Sequence, residues 1–363
     1  MGIKLEKTLF IILFLALAGI GKSAEKAPDG ESKAIAGLKD IFIKRQKELW
    51  VSKGKKALRG AHALGFGCLK ANFKVLSNIP KDLKVGLFSK EKNYKAWVRF
   101  SSASSTPKAD SEGDSRGMAI KVMGVEGKKV LKEEEDALTH DFLTVSHPIF
   151  VVKNAVQFER LMKVVQEHGS PVWYFIPSVY KPWTWELTQF NIARAVLGRK
   201  IPHVFDVQYF SMVPYRLGNK NQVKYSNRPC KGNTPSYSTV PEKGPFYKRR
   251  MKEHLSKKSI CYDFMVQVKK KGMLIEDATQ LWNESDSPFI PVAKIEISKQ
   301  KFDTPKQQEY CENLSFNPWH ALPEHRPLGS LNRARRVIYQ AVSKFRHENN
   351  KAKREEPTDY VTF

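Results

Sequence analysis

Lys95-Ala-Trp-Val-Arg-Phe-Ser101, a turn-rich run to Gly113, and then Asp114-Ser-Arg-Gly-Met-Ala-Ile-Lys-Val-Met123 read as two strands joined by a long turn. Apolar and polar side chains alternate in the first, and an alternation of period two predicts a strand that buries one face. On the amino side Ala71-Asn-Phe-Lys-Val-Leu76 has the same pattern, and on the carboxyl side Asp141-Phe-Leu-Thr-Val145 adds a fourth strand. Helical spacing takes over at Val156–Val165 and Trp185–Leu197. Strand pattern returns at 204–208, 223–226, 259–269 and 292–298. Strands in two blocks around helices, without regular βαβ alternation, predict an α+β fold built on an antiparallel sheet or barrel.

With 363 residues, 41% hydrophobic and 11% aromatic, and four cysteines, the chain is neither disordered, collagenous nor dense in disulfides. It is long enough for two domains or for one large barrel with appendages. The formal net charge is +25, a field that attracts polyanions. The basic residues are spread from Lys26 to Lys353 with acids between them, and no nucleic-acid-binding signature accompanies them. They are read as a solvated surface. Weak association with an anionic membrane surface stays open.

At the amino end, Lys4 and Lys7 precede a 13-residue apolar run, Leu9 to Gly21. A basic flank and a run too short to span a bilayer predict a secretory signal peptide over residues 1–24, and hence a periplasmic or secreted protein. Residues 25–44 read as a linker rich in Ala, Gly, Ser and charge, with an amphipathic helix emerging over Ile41–Trp50; 45–350 form the body and 351–363 a polar tail. Cys68, Cys230, Cys261 and Cys311 have no C-x-x-C spacing. They are core thiols or form one or two bridges of unassigned pairing.

Leu331, Ala334, Ile338, Val342 and Phe345 recur at helical spacing after Gly329-Ser330, which predicts a helix from Leu331 to about His347. On it Arg335 and Tyr339 are one turn apart, so the guanidinium stands beside the phenol. Phenols are ordinarily neutral at pH 7, and a phenolate needs a cation or a metal beside it; packing of Tyr339 in the core is the plain alternative. A second candidate is His62 in Arg59-Gly-Ala-His-Ala-Leu-Gly-Phe-Gly67, where small neighbours would admit a flat ligand. Arg99 and Ser101, at the end of a strand, form a third.

In this order the segments resemble the catalase family, in its short, minimal branch. Arg59-x-x-His62-Ala-x-Gly-x-Gly resembles the distal-histidine motif, and Arg99-Phe-Ser101 with Asp114-x-Arg-Gly-Met-Ala-Ile-Lys121 the strand pair behind it. Asp141-Phe-Leu-Thr-Val-Ser-His-Pro-Ile-Phe150 with Phe158 resembles the distal-pocket segment, Arg335-x-x-x-Tyr339 the proximal ligand motif, and Phe316–Gly329 the approach to it. The likeness spans about residues 45 to 350. It implies a catalase-like antiparallel β-barrel with flanking helices that holds haem b. Tyr339 would ligate ferric iron as phenolate, steadied by Arg335. His62 would move the peroxide proton, with Ser101 fixing its tautomer. Arg59 and Arg99 would pair with the propionates, and Phe150 and Phe158 would narrow access.

The sequence departs from the family where the distal pocket carries an Asn: Val145 and Ser146 stand there, and Ser146 has one donor where an amide has two. The resemblance therefore implies an exported haem peroxidase or low-efficiency catalase, which cleaves the O–O bond of hydrogen peroxide or an organic hydroperoxide through an oxo-ferryl state. The alternatives are a fatty-acid hydroperoxide-converting enzyme, allene oxide synthase-like, and a non-catalytic haem-binding protein. The physiological reductant and the oligomeric state, a dimer included, are left open.

Overall fold

The computed structural model describes residues 25–363 apart from 233, 234, 236, 242 and 243; the expected signal peptide lies outside the described residues. Among the described residues nine strands occur in chain order: β1 (Gly65–Val75), β2 (Asn93–Ser102), β3 (Arg116–Met123), β4 (Thr139–Val145), β5 (Tyr209–Phe210), β6 (Tyr215–Leu217), β7 (Asn221–Pro229), β8 (Ile260–Val268) and β9 (Phe289–Ile297). They pair antiparallel in the order β5-β4-β3-β2-β1-β9-β8-β7-β6. A further pairing of β5 with β7 closes eight of them into a barrel, with β6 outside the ring on β7. The expected α+β fold, an antiparallel barrel with flanking helices, is the one observed.

Alternation along the strands decides which side chains meet. Phe73, Val98, Phe100, Ile120, Phe142 and Phe264 point inward and fill the barrel, all essentially inaccessible. Outward-facing residues line up across β1 to β4 in three rows. Gly65, Ser101, Gly117 and Val145 make the first, Cys68, Arg99, Ala119 and Leu143 the second, and Lys70, Trp97, Lys121 and Asp141 the third. The first two rows are poor in bulk around Gly65, Gly117 and Ala119, and a shallow place on a barrel wall can receive something laid against it.

Helices cover that wall. Those used below are α1 (Glu31–Leu49), α2 (Ala155–His168), α3 (Val172–Phe175), α4 (Leu187–Gly198), α5 (Tyr247–Lys257), α6 (Pro305–Asn313) and α7 (Ser330–Asn350). The expected linker is corrected by α1, which begins at Glu31. Leu38 packs with Ala155, Ala334, Ile338 and Val342 of α2 and α7, and Glu31 binds Arg333 of α7 at 2.6 Å. These tertiary partners turn an Ala/Gly/charge-rich stretch into a helix.

Segment 351–363 is likewise no free tail. Glu356 meets the buried Lys121 at 3.0 Å, and Phe363 lies on Trp97 with 6.0 Å between ring centres. The expected strand at 204–208 is irregular backbone, because Val204, Phe205 and Val207 are buried as loop residues. The cysteines form two bridges, Cys68–Cys311 and Cys230–Cys261.

Candidate active site

Between the shallow wall of β2 to β4 and helix α7 lies a cavity of about 380 Å³. Leu331, Arg335, Ile338, Tyr339, Val342 and Arg346 line it from α7, a single stripe at three- and four-residue spacing. Arg99, Ser101, Gly117, Ala119, Leu143 and Val145 line it from the barrel, all from the two outward rows described above. Phe42 of α1, Phe150 of the loop before α2 and Phe158 in the first turn of α2 close another side; Phe150 and Phe158 meet edge to face at 5.3 Å.

His62 enters from the turn before β1. Its φ of 58° is left-handed, uncommon for a residue with a Cβ. The turn is pinned by its own N–H on Ala103 O at 3.1 Å and by Arg99 Nη2 donating to its carbonyl at 3.0 Å. Nδ1 lies 3.1 Å from Ser101 Oγ. A Cβ on Gly117 would fall 2.5 Å from the same Nδ1, so the imidazole rests on a glycine because nothing larger leaves room. Burial, and after it the Arg99 guanidinium, lowers the His62 pKa to about 4. The ring is neutral at pH 7 and able to accept a proton, although it is half-open to the cavity.

Across the cavity, Arg335 Nη2 stands 3.4 Å from Tyr339 Oη, while Nη1 donates to Asn332 Oδ1 at 3.1 Å and reaches Tyr215 Oη at 3.4 Å. Burial works against the charge on Arg335, but the Tyr339 and Tyr215 hydroxyls outweigh it and raise the pKa of the guanidinium. Tyr339 thus has a guanidinium within reach of its oxygen.

At one end of the cavity three guanidiniums converge on Glu312, two of them on its carboxylate. Arg59 pairs with Glu312, Arg99 Nη2 meets the same carboxylate at 3.2 Å, and Arg346 donates to the Glu312 carbonyl. Burial would raise the Glu312 pKa, yet the pull of Arg59, Arg99 and Arg346 prevails and holds it at about 2. Burial lowers the Arg346 pKa to about 10 against the pull of Glu312. Arg99 Nε is buried with no acceptor. Three cations against one anion leave a surplus of positive charge at the cavity edge, suited to an anionic group.

Each expected site residue but one lines this cavity: Arg59, His62, Arg99, Ser101, Phe150, Phe158, Arg335 and Tyr339. Ser146 is the correction. Its neighbour Val145 occupies the outward row and lines the cavity, and successive residues of a strand face opposite sides. Ser146 Oγ instead accepts the Arg116 N–H at 2.9 Å inside the β3–β4 junction.

Residues 31–195 match the family model described as Catalase. Over that span the chain is similar to the catalase family. Its fold is the catalase fold: catalase A from Saccharomyces cerevisiae superimposes with a TM-score of 0.64 at 18% identity, covering 84% of this chain and 66% of that one. A fungal catalase gives 0.61 at 17% identity, with 85% and 61% covered, and a bacterial catalase 0.60 at 14% identity, with 100% and 73% covered. The chain thus spans less than two thirds of the length of the first two. No curated protein sequence matches it. The family match includes His62, Arg99, Ser101 and Phe158 but ends before α7, so the Arg335–Tyr339 side of the catalase-like cavity stands on the tertiary structure.

Sequence reasoning missed Glu312, Arg346 and Phe42. Arg346 follows Tyr339 by seven residues, two helical turns along the same face, and that spacing could have identified it. Glu312 had no local signal. It reaches the arginines because the adjacent Cys311 is tied to Cys68 on the second outward row.

Proposed function

We propose that this catalase-like protein is a haem enzyme that decomposes hydrogen peroxide or organic hydroperoxides. The observation that carries the reading is one cavity with a cation-backed phenol on a helix and a neutral imidazole on the barrel wall. The residues present fit a haem. Tyr339 would be the donor for ferric iron, Arg335 would hold its charge, and the buried, unpartnered Arg99 Nε with Arg59 and Arg346 would suit two propionate carboxylates. When bound, the iron porphyrin supplies the redox chemistry that breaks an O–O bond.

The protein's own part is proton movement and exclusion. With Nδ1 engaged by Ser101, Nε2 of His62 takes the proton from the peroxide oxygen nearer the cofactor and delivers it to the departing oxygen. Ser101 fixes the tautomer that makes this possible. Phe150 and Phe158 narrow the approach. Val145 offers no hydrogen bond where an amide would hold hydrogen peroxide, and Ile149 and Val196 line the cavity with it. This favours organic hydroperoxides, and low efficiency in peroxide disproportionation. Export to an oxidising compartment is proposed from the basic flank and apolar run within residues 1–24; the two disulfides agree with it.

The test is reconstitution with haem, comparing wild type, Tyr339→Phe and His62→Ala by absorption spectrum, oxygen release and donor oxidation. A tyrosinate-type spectrum lost in Tyr339→Phe, with turnover lost in His62→Ala, supports the proposal. Unchanged turnover in His62→Ala refutes proton transfer by His62, and haem bound by the wild type with no turnover leaves only a haem-binding protein.

A further inference from the structure

Seven of the twelve exposed large hydrophobic side chains among the described residues fall between 172 and 197. The segment is not loose. The Glu186 N–H is bound to Phe175 O at 2.9 Å and Trp185 Nε1 to Ser178 O at 2.8 Å, closing the loop between α3 and α4. Tyr174, Phe175 and Ile192 turn inward, the first two packing with Val152 and Leu161 under α2. The opposite face presents Trp173, Val179, Tyr180, Trp183, Leu187 and Leu197, with Tyr180 88% and Trp183 77% accessible. Aromatic rings this exposed on a clipped loop have not simply failed to find the core.

Charge says what covers them. From 169 to 200 the chain has Lys181, Arg194, Arg199 and Lys200 against a single acid, Glu186, and Glu186 is occupied by Arg160 at 2.7 Å. A second copy of the chain seated by twofold symmetry would bring this basic patch against itself, on a molecule already at +25. An anionic lipid surface meets both features, because Trp and Tyr settle at the headgroup level and Lys and Arg are drawn to negative phosphates. Among the described residues no helix is long and apolar enough to cross a membrane. The contact is then peripheral.

We infer that the α3–α4 hairpin, residues 172–200, docks the protein on the surface of anionic lipid bilayers through Trp173, Tyr180 and Trp183 ringed by Lys181, Arg194 and Lys200. Val196, on the same helix α4, lines the cavity, so docking sets the cavity beside the lipid. The inference does not depend on the cofactor.

It is tested on the full chain by flotation with vesicles of phosphatidylcholine alone and of phosphatidylcholine with about a third phosphatidylglycerol, and by hydrogen exchange on the same vesicles. All variants keep the same amino end, so differences between them report the hairpin. The expected result is preferential binding to the anionic vesicles with slowed exchange over 172–200. Trp173→Ser/Tyr180→Ser/Trp183→Ser should weaken partitioning at least about tenfold. Lys181→Gln and Arg194→Gln, which keep the aromatic face, should each weaken it about fivefold, less at high salt. Unchanged exchange over 172–200 on bound protein, equal binding to both vesicle types, or a wild-type dimer that the triple variant dissociates would overturn the inference.

Discussion

Adding one methyl group, Gly117→Ala, tests the geometry of the His62 imidazole without replacing a polar atom. The new Cβ would stand 2.5 Å from His62 Nδ1, 2.7 Å from its Cε1 and 2.8 Å from Ser101 Oγ, whereas ordinary contact begins at 3.4 Å. The ring must therefore retreat by about 0.9 Å, the difference between 3.4 and 2.5 Å. Its backbone has little freedom to follow, held left-handed between Ala103 and Arg99. A displacement of about 1 Å in a reacting group costs roughly a hundredfold in rate, or about 2.7 kcal/mol of barrier. Overpacking should also cost about 1 to 3 kcal/mol of stability. The assay is kcat/KM for peroxide at pH 7 on haem-loaded protein, alone and in a His62→Ala background. The methyl should cost about a hundredfold in wild type and almost nothing once the imidazole is gone. A loss under threefold with haem retained, or the same loss in both backgrounds, would refute the account.

Turnover should be flat from pH 8 to about 5 and fall by half near pH 4 as His62 takes up a proton; Arg99→Gln should move that midpoint upward, readable in a pH–rate profile. Stability should fall with acid as well: burial holds His203 at about 4 and His325 at about 3, so the unfolded chain binds more protons below its own pKa of about 6.5. Each then costs on the order of 2 kcal/mol at pH 5, which urea unfolding at pH 7.5 and 5 should show, with His325→Phe reducing the difference. Val145→Asn puts an amide on the outward row and should raise oxygen release from hydrogen peroxide several-fold relative to organic hydroperoxide turnover, measured with an oxygen electrode. Cys68→Ser/Cys311→Ser should lower stability by about 2 to 4 kcal/mol and speed haem loss to an acceptor protein, because Glu312 and the Arg59 contacts on Cys311 O at 2.9 Å and Leu314 O at 2.8 Å lose their anchor.

Local patterns carried much of this protein. Alternation along 95–101 and 117–123 predicted strands that exist, and the three- and four-residue recurrence from Leu331 predicted α7 with Arg335 beside Tyr339, because strand and helix periods depend only on neighbours in the chain. What depended on distant partners was hidden. Residues 31–44 are helical because Leu38 and Glu31 find α7. The end segment is ordered because Glu356 and Phe363 find Lys121 and Trp97. Composition alone described both as linker and tail. The choice between Val145 and Ser146 was a matter of one residue of register, and only the β3–β4 pairing could make it, since a shift by one turns a side chain from cavity to interior. Likewise nothing near Glu312 or Trp183 in the chain announced a carboxylate among three arginines or an aromatic face left bare. Charge compensation and exposure are sums over residues far apart in sequence, and the tertiary structure alone performs that sum.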